Sequence, residues 1–408
     1  MSYSSKTYSS RRAGNNYRRG SGASYGSTYG GSRQNKRRGP KKDYIDPSRF
    51  IKVARPVEAE SYTPLHTFED FQVHPMLKQN LRAKNYQLPS PIQDKTIPLA
   101  LEGRDVIGIA DTGTGKTAAF AIPLLHMAMT SGAKALIVAP ARELAQQIEV
   151  ELRSIAKGSR LRGALLIGGT GMGSQFRDLS ANPNIVIGTP GRIKDHLDRG
   201  SLSLADFNIV VLDEVDRMLD MGFVNDMQTI LSELHPERQS LFFSATLDTR
   251  VNNLITSFSN DPITISIKSG DTSENVHQNV VYVNHQAEKI NTLHDLLING
   301  EIQKAIIFDD TQRSVERLSD ELVKRGLKAD AIHGGRSQGQ RQRALAKFKQ
   351  SEVDILVATD VAARGIDVSD ITHVINYSTP QSYADYVHRI GRAGRAGRVG
   401  YALTFVTR

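Results

Sequence analysis

Short apolar runs that alternate with helical stretches are the feature that most constrains the fold of this chain. Each run is apolar at consecutive positions, which indicates a strand covered on both faces, and such strands are typical of parallel sheets. Runs occur at 106–110, 135–139, 184–188, 209–213, 241–244, 280–283, 304–308, 354–358 and 373–376. A polar Gly/Ser segment at 269–274 interrupts the series. The pattern predicts an α/β fold with two doubly wound domains in series.

Composition divides the 408 residues into four predicted parts. These are a basic tail and lead-in at 1–65, a first domain at 66–268, a linker at 269–277 and a second domain at 278–408. Eleven of the 52 Lys and Arg residues, and no acidic residue, lie in 1–42, so the rest of the chain is nearly neutral. Because this tail has almost no Leu, Ile, Val or Phe, burial cannot offset its chain entropy, and we expect it to be disordered.

The basic tail suggests a polyanionic partner such as nucleic acid. Its Tyr residues are interleaved with Arg, and Tyr can stack on bases while Arg pairs with phosphate, so the tail would add non-specific affinity. A solubilising tail is an equal alternative. The Arg- and Ser-rich start also resembles an organellar transit peptide in composition, but its Gly, Asn and Ser content disfavours the amphipathic helix that such a peptide needs.

Several classes of protein are excluded by composition. The chain has no Cys, which rules out disulfides, thiolate catalysis and Cys-based zinc sites. No apolar run reaches 18 residues, so no membrane span is expected, and the first residues lack the apolar stretch of a secretory signal. We therefore expect a cytoplasmic protein, whose protein partners the sequence does not identify.

A strand, a Gly-rich loop and a helix follow one another in the first domain. The loop consists of Ala110, Asp111, Thr112, Gly113, Thr114, Gly115, Lys116 and Thr117, and it matches the phosphate-binding pattern except that Ala110 replaces the first Gly. The glycines allow backbone N–H groups to curl around phosphate, and the helix N-terminus adds partial positive charge. Lys116 would contact the β- and γ-phosphates and Thr117 would ligate Mg²⁺. We predict an ATP-binding loop; a Gly-rich loop without a phosphate ligand is the alternative.

An acidic pair, Asp213 and Glu214, ends another apolar strand. Asp213 would hold Mg²⁺ directly or through water, and Glu214 would orient or deprotonate the attacking water. Such a pair alone is more often a solvated loop. Together with the phosphate-binding loop, it predicts ATP hydrolysis.

In the second domain, the segment 388–395 is the candidate phosphate-binding segment, because it places three Arg residues between glycines. Arg forks suit phosphate, and an arginine supplied across a cleft would stabilise the charge on the γ-phosphate in the transition state. ATP would then bridge the two domains. A generic RNA-contacting patch is the alternative.

The ordered set of motifs resembles that of the DEAD-box ATP-dependent RNA helicases, over about 66–408. The matching blocks are Phe68 with 85–93, 110–117, 140–145, Gly168 with Gly169, 189–192, 213–216, 244–246, 306–308, 338–341, 358–367 and 388–395. The resemblance implies two tandem RecA-like domains with parallel sheets, the family's Q motif at 66–94 and a disordered basic tail before them. The namesake block reads Asp-Glu-Val-Asp, with Val215 where Ala is usual, and we expect activity to be retained.

The resemblance also implies roles for individual residues. Gln93 would read adenine, Phe68 would stack on the base, Asp367 would contact the ribose and Gly365 would belong to the same ATP site. Catalysis would use Lys116, Asp213, Glu214, His388 and two arginine fingers, Arg392 and Arg395. Ser244, Thr246 and Asp216 would couple the ATP state to RNA binding. The RNA backbone would contact Pro140, Arg142, Gly169, Thr189, Arg192, Arg341 and Thr359, which implies little sequence specificity.

The implied activity is RNA-stimulated ATP hydrolysis coupled to local unwinding of short RNA duplexes or to remodelling of ribonucleoproteins. An ATP-gated RNA clamp that serves as an assembly scaffold is the alternative, because both activities use the same motifs. A DNA helicase of a related group is a third possibility, which the Gln93 block disfavours. The chain stops in a predicted strand at 404–408, where family members usually continue through another helix, so the second domain is expected to be truncated or a natural minimal core.

Overall fold

The computed structural model describes residues 45–54, 62–111, 113–267, 272–300, 302–363, 368, 370–394 and 398–408. The predicted disordered tail at 1–42 lies outside these ranges. Four predicted site residues also lie outside them, namely Thr112, Gly365, Asp367 and Arg395.

The first sheet has seven parallel strands in the order β3-β4-β2-β5-β6-β1-β7. Its elements are α1 (Pro75–Ala83), α2 (Pro91–Leu101), β1 (Val106–Ile109), α3 (Lys116–Thr130), β2 (Ala135–Val138), α4 (Arg142–Ile155), β3 (Gly163–Leu166), α5 (Met172–Ser180), β4 (Ile185–Gly188), α6 (Pro190–Asp198), β5 (Ile209–Asp213), α7 (Val215–Asp220), α8 (Val224–Ser232), β6 (Gln239–Ser244), α9 (Thr249–Phe258) and β7 (Ile263–Ser266). Helices alternate with the strands, as the apolar runs predict.

The second sheet has six parallel strands in the order β10-β11-β9-β12-β13-β8. Its elements are β8 (Val276–Val283), α10 (Gln286–Asn299), β9 (Ala305–Phe308), α11 (Gln312–Lys324), β10 (Ala329–Ile332), α12 (Gln338–Lys349), β11 (Ile355–Ala358), α13 (Asp360–Ala363), β12 (His373–Asn376), α14 (Tyr383–Ile390) and β13 (Gly400–Thr407). The predicted fold of two α/β domains with parallel sheets is confirmed.

Both faces of each sheet are buried, because successive side chains of a strand point in opposite directions. In β1, Val106 packs into one apolar cluster and Ile107 into another on the opposite face. In β9, Ile306 and Ile307 divide between two further clusters in the same way. This two-sided burial is why the strands are apolar at consecutive positions.

The strand order brings three functional loops together. Strand β6 pairs with β1 on one side and with β5 on the other. The carboxyl ends of these parallel strands therefore meet at one edge, and the loops after β1, β5 and β6 begin side by side. In an open α/β sheet, this is the edge where ligands bind.

The structure differs from the sequence-based expectation at several element boundaries. Strands β3, β7 and β10 are absent from the predicted set, and β8 begins at Val276, inside the predicted linker. Residues 45–54 were expected to belong to the lead-in of the tail, but they form ordered structure that includes a 3-10 helix, Pro47–Phe50. Within the described ranges, no helix combines the length and the apolarity that a membrane crossing requires.

Candidate ATP site

The phosphate-binding loop leaves β1 at Ile109 and enters α3 at Lys116. Gly113 has a φ of 88° and Gly115 a φ of 95°, a left-handed backbone that favours glycine. A Cβ atom at Gly115 would overlap the end of the Gln93 side chain, so another residue here would displace Gln93 as well as strain the backbone. The first turn of α3 presents its N–H groups to the space that this loop encloses.

Lys116 and Asp213 lie in the buried floor of this space. Lys116 Nζ donates to the backbone oxygen of Ala110 at 2.9 Å. Asp213 Oδ1 has no hydrogen-bond partner among the described residues. Burial raises the pKa of Asp213 to about 6, and the Lys116 ammonium opposes that rise.

An orphaned, buried carboxylate oxygen next to a phosphate-binding loop fits a divalent cation, since hard cations prefer oxygen ligands. Among the described residues, no group of three or more His, Cys, Asp and Glu side chains could hold a metal. An ion here would therefore rely on Asp213, the Thr117 hydroxyl, water and the nucleotide itself. This is the usual situation for Mg²⁺ at a phosphate site.

Glu214 is held by a residue that the sequence did not single out. It has a φ of 56°, and its Oε2 accepts from Arg217 Nη1 at 3.0 Å, with both side chains 5% exposed. Burial alone would raise the pKa of Glu214, but Arg217, followed by Lys116 and Arg392, lowers it below its usual range. The surrounding cations therefore favour the carboxylate form of Glu214 over the neutral acid.

The end of β6 is joined to α7 through Asp216. Asp216 Oδ2 accepts from the N–H groups of Ala245 and Thr246 at 3.1 and 3.0 Å and from Thr246 Oγ1 at 3.1 Å. In return, Asp216 N donates to Ser244 Oγ at 3.3 Å. These hydrogen bonds tie 244–246 to the first turn of α7, which directly follows Asp213 and Glu214.

Gln93 and Phe68 occupy different environments on the other side of the loop. Gln93 Nε2 donates to the Gly115 oxygen at 3.0 Å, and its Oε1 accepts from Ser90 N at 2.9 Å. Phe68 is 3% exposed, with its ring edge-on to Phe71 and Tyr86 at centroid distances of 5.9 and 5.3 Å. The structure thus places Gln93 at the loop and Phe68 in the core behind it.

The second domain faces this site with α14 and the residues that follow it. His388 and Arg392 both contribute to the electrostatic field at Glu214. Between them lies Arg389, which is 2% exposed and donates to both oxygens of Asp360 at 2.5 and 2.7 Å. Arg389 also donates to Asn376 Oδ1 and to the Ser378 oxygen, so it anchors the last turn of α14 within the second domain.

A cavity of about 690 Å³ lies between the two domains, in the size range of small-molecule sites. Its walls include Gln93, Gly113, Gly115, Lys116, Thr117, Asp213 and Glu214 from the first domain and Arg341 and Arg392 from the second. The structure therefore brings together most of the described residues that were predicted for ATP binding and catalysis.

The residues predicted to contact RNA lie at the carboxyl ends of other strands. Pro140, Gly169 and Thr189 follow β2, β3 and β4. The Arg142 guanidinium packs closely on Gly168 and Gly169.

The remaining predicted RNA contacts are half-buried or buried, namely Arg192, Thr359 and Arg341. Arg192 donates to Met172 Sδ at 2.8 Å, and Thr359 is buried after β11. Arg341 forms a buried ion pair with Glu143 of the first domain, with Nη2 and Oε2 2.7 Å apart.

Two family models match the chain. The model described as DEAD/DEAH box helicase matches residues 90–254, and the model described as Helicase conserved C-terminal domain matches residues 288–397. A curated relative, the DEAD-box ATP-dependent RNA helicase CshA of Bacillus licheniformis, is 45% identical over 344 residues, which are 84% of this chain and 70% of that protein.

Solved structures agree with this match. Dbp5 of S. cerevisiae bound to RNA and ADP BeF3 is 30% identical with a TM-score of 0.75, covering 84% of this chain and 90% of that one. Mss116p bound to ssRNA and AMP-PNP is also 30% identical with a TM-score of 0.75, covering 87% of this chain and 77% of that one. The two parallel-sheet domains, the loop at their shared cleft and these matches together show that the chain belongs to the DEAD-box helicase family.

Proposed function

We propose that this chain binds ATP in the cleft between its two domains and hydrolyses it in response to RNA, with local separation of short duplexes as the result. As a member of its family with a CshA relative at 45% identity, it is an ATP-dependent RNA helicase. The observation that carries the proposal is the shared cavity, in which Lys116, Asp213 and Glu214 face Arg392 of the second domain. Hydrolysis would therefore depend on the two domains being together.

In the proposed site, the first domain binds the nucleotide and activates water. The N–H groups of 110–117, with Lys116, would hold the phosphates. Thr117 and Asp213 would hold Mg²⁺, which neutralises phosphate charge when bound. Glu214, whose carboxylate form Arg217 favours, would take the proton of the attacking water.

The second domain would complete this site. Arg392 and Arg395 would stabilise the charge that develops on the γ-phosphate, and His388 would link that event to RNA binding. On the nucleoside side, Gln93 would contact the base, and Gly365 and Asp367 would contact the ribose. Phe68 would support this end of the site from the core, where its ring packs against Tyr86.

Val215, the departure in the namesake block, does not change these expectations. It is fully buried in an apolar cluster of the first domain, alongside Met218 and Phe242, and is not part of the cavity wall. We propose that the larger side chain is accommodated by packing and that the charged positions keep their roles.

Single-stranded RNA would lie along the strand ends that carry Pro140, Arg142, Gly169, Thr189 and Arg192, with Thr359 and Arg341 from the second domain. Arg341 Nε has no hydrogen-bond partner among the described residues, although its Nη2 contacts Glu143. A buried guanidinium with spare N–H groups can donate to a phosphate oxygen. Contacts to the sugar–phosphate backbone imply little sequence preference.

An ATPase titration tests the proposal most directly. Phosphate release would be measured against RNA concentration and, in parallel, against DNA of the same sequence. We expect RNA to raise the rate and DNA to have little effect. A strand-displacement assay on a short RNA duplex then separates unwinding from clamping, because a clamp would bind the duplex without displacing a strand. A rate of phosphate release that does not change with RNA concentration would contradict the proposal.

The basic tail provides a separate prediction. We propose that residues 1–42 add non-specific RNA affinity through their eleven positive charges. Deleting them should reduce the slope of log binding constant against log salt, since fewer counterions are released on binding. Fluorescence anisotropy with a labelled single-stranded RNA at several salt concentrations measures that slope. An unchanged slope would leave the tail as a solubilising segment.

We further propose that the protein works in the cytoplasm. The relationship to a bacterial RNA helicase, whose RNA substrates lie in the cytoplasm, supports that location. Fractionation of cells that express the intact chain, with immunodetection of each fraction, tests it.

A further inference from the structure

Residues 45–54 precede the first domain in the sequence but pack on the second domain. We call them the strap. Phe50, in the 3-10 helix of the strap, is fully buried, and its ring centroid lies 4.6 Å from that of Tyr386 on α14. Phe50 and Ile45 belong to the same apolar cluster as Val276 and Ile390. The strap therefore supplies part of the core of the second domain.

Backbone hydrogen bonds fix the strap to the edge of the second sheet. Lys52 N donates to the Gln278 oxygen at 3.0 Å, and Gln278 N donates to the Lys52 oxygen at 2.8 Å, which forms an antiparallel bridge to β8. Ala54 N donates to His277 Nδ1 at 3.2 Å. Since β8 is an edge strand, these bonds cover backbone groups that would otherwise face solvent.

The strap also supports α14, the helix that directly precedes the predicted arginine finger Arg392. The Arg49 guanidinium lies 3.9 Å from the ring centroid of Tyr383, at the first residue of α14. Phe50 packs against Tyr386 one turn later. Because α14 leads directly into Arg392, the position of this side chain in the cleft depends on how α14 is seated.

The chain after the strap is anchored in the first domain beside the nucleotide site. Tyr62 Oη donates to Asp94 Oδ2 at 2.5 Å, and the N–H groups of Leu65 and His66 also donate to Asp94. Only eight residue steps separate Ala54 from Tyr62, which can span at most about 29 Å when fully extended. The polypeptide therefore connects the two domains twice, here and between β7 and β8.

We propose that the strap is a functional part of the second domain and has two effects. It holds α14 in position, and it adds a second covalent connection that limits how far the two domains can separate. A limited separation raises the effective concentration of one half of the ATP site relative to the other. The consequence for turnover rests on the proposed function, whereas the seating of α14 does not.

Hydrogen exchange tests the seating of α14 without any assay of activity. The intact chain would be compared with Phe50→Ala and with Ile51→Ala, a neighbouring apolar residue that is 54% exposed. We expect Phe50→Ala to accelerate exchange of the amides of α14 and β8 by at least about tenfold, because it removes a fully buried ring. Ile51→Ala should leave exchange unchanged. Equal exchange in the two variants would overturn the proposal.

Proteolytic cutting tests the second connection. Residues 55–61 would be replaced by a seven-residue site for a specific protease, and RNA-stimulated phosphate release would be measured before and after cutting. With the strap still bound, as shown by co-elution, we expect the RNA concentration at half-maximal stimulation to rise severalfold. An unchanged value would refute the limiting role of the connection. If RNA did not stimulate phosphate release by the uncut protein, the proposed function would be contradicted instead. The hydrogen-exchange test of how the strap holds α14 would still stand.

Discussion

Replacing Glu214 by Gln is expected to reduce ATP turnover by about 10²–10⁴-fold, the usual contribution of a general base. The amide keeps the size of the side chain but cannot take a proton from water. In the structure, the nearby cations, Arg217 first, outweigh the effect of burial and hold the pKa of Glu214 below its usual range, which favours the carboxylate form that a base requires. Phosphate release at saturating ATP and RNA measures the loss.

Two controls show whether a loss of turnover comes from the missing carboxylate or from a folding defect. Glu233→Gln makes the same chemical change at an exposed position outside the cleft and should retain the parental rate. Because Arg217 loses its charged partner in Glu214→Gln, thermal unfolding should accompany the assay to show that the variant is folded. A folded Glu214→Gln variant that hydrolyses ATP at the parental rate would remove Glu214 from the mechanism.

Replacing Arg341 by Ala is expected to drive the two domains apart. The Arg341–Glu143 pair joins the domains, with side chains only 7% and 4% exposed. Breaking one partner of such a pair costs about 3–5 kcal/mol, because the other charge stays buried without compensation. Here the protein can avoid that cost by separating the domains and letting water reach Glu143.

Energy transfer between two fluorophores measures this separation. The chain has no Cys, so single cysteines placed at the exposed positions Arg160 and Lys324 would be labelled without background. Arg341→Ala should lower the transfer efficiency, while Arg343→Ala, an exposed charge on the same helix, should not. The double variant with Glu143→Gln should recover part of the loss. Unchanged transfer in Arg341→Ala would mean that the pair does not hold the domains together.

The sequence predicts the elements whose signals are local. Strands such as β5, apolar throughout and followed by Asp213 and Glu214, are recognisable because burial on both faces leaves a continuous run. Strands β3, β7 and β10 are less apolar and each includes half-buried or exposed positions. Their weak pattern is the physical reason that they were not predicted.

The parts that the sequence could not reveal depend on distant contacts. Phe50 packs near Val276, which is more than two hundred residues away, and a short segment containing Pro47 has no periodicity that signals this partner. Arg341 was interpreted as an RNA contact, but its pairing with Glu143 requires two domains in a particular arrangement. Arg217 and Arg389 were not selected because an arginine that binds a carboxylate looks, in sequence, like any surface arginine.

The hydrogen bonds of Gln93 have a consequence for base selection. Its amide already binds Gly115 and Ser90, so its rotamer is fixed before any nucleotide arrives. One amide N–H and one lone pair of the oxygen remain to meet the edge of a base. In the proposed site, the entropy of ordering this side chain is lost during folding rather than during binding, and the fixed rotamer favours a base whose edge matches the remaining donor and acceptor.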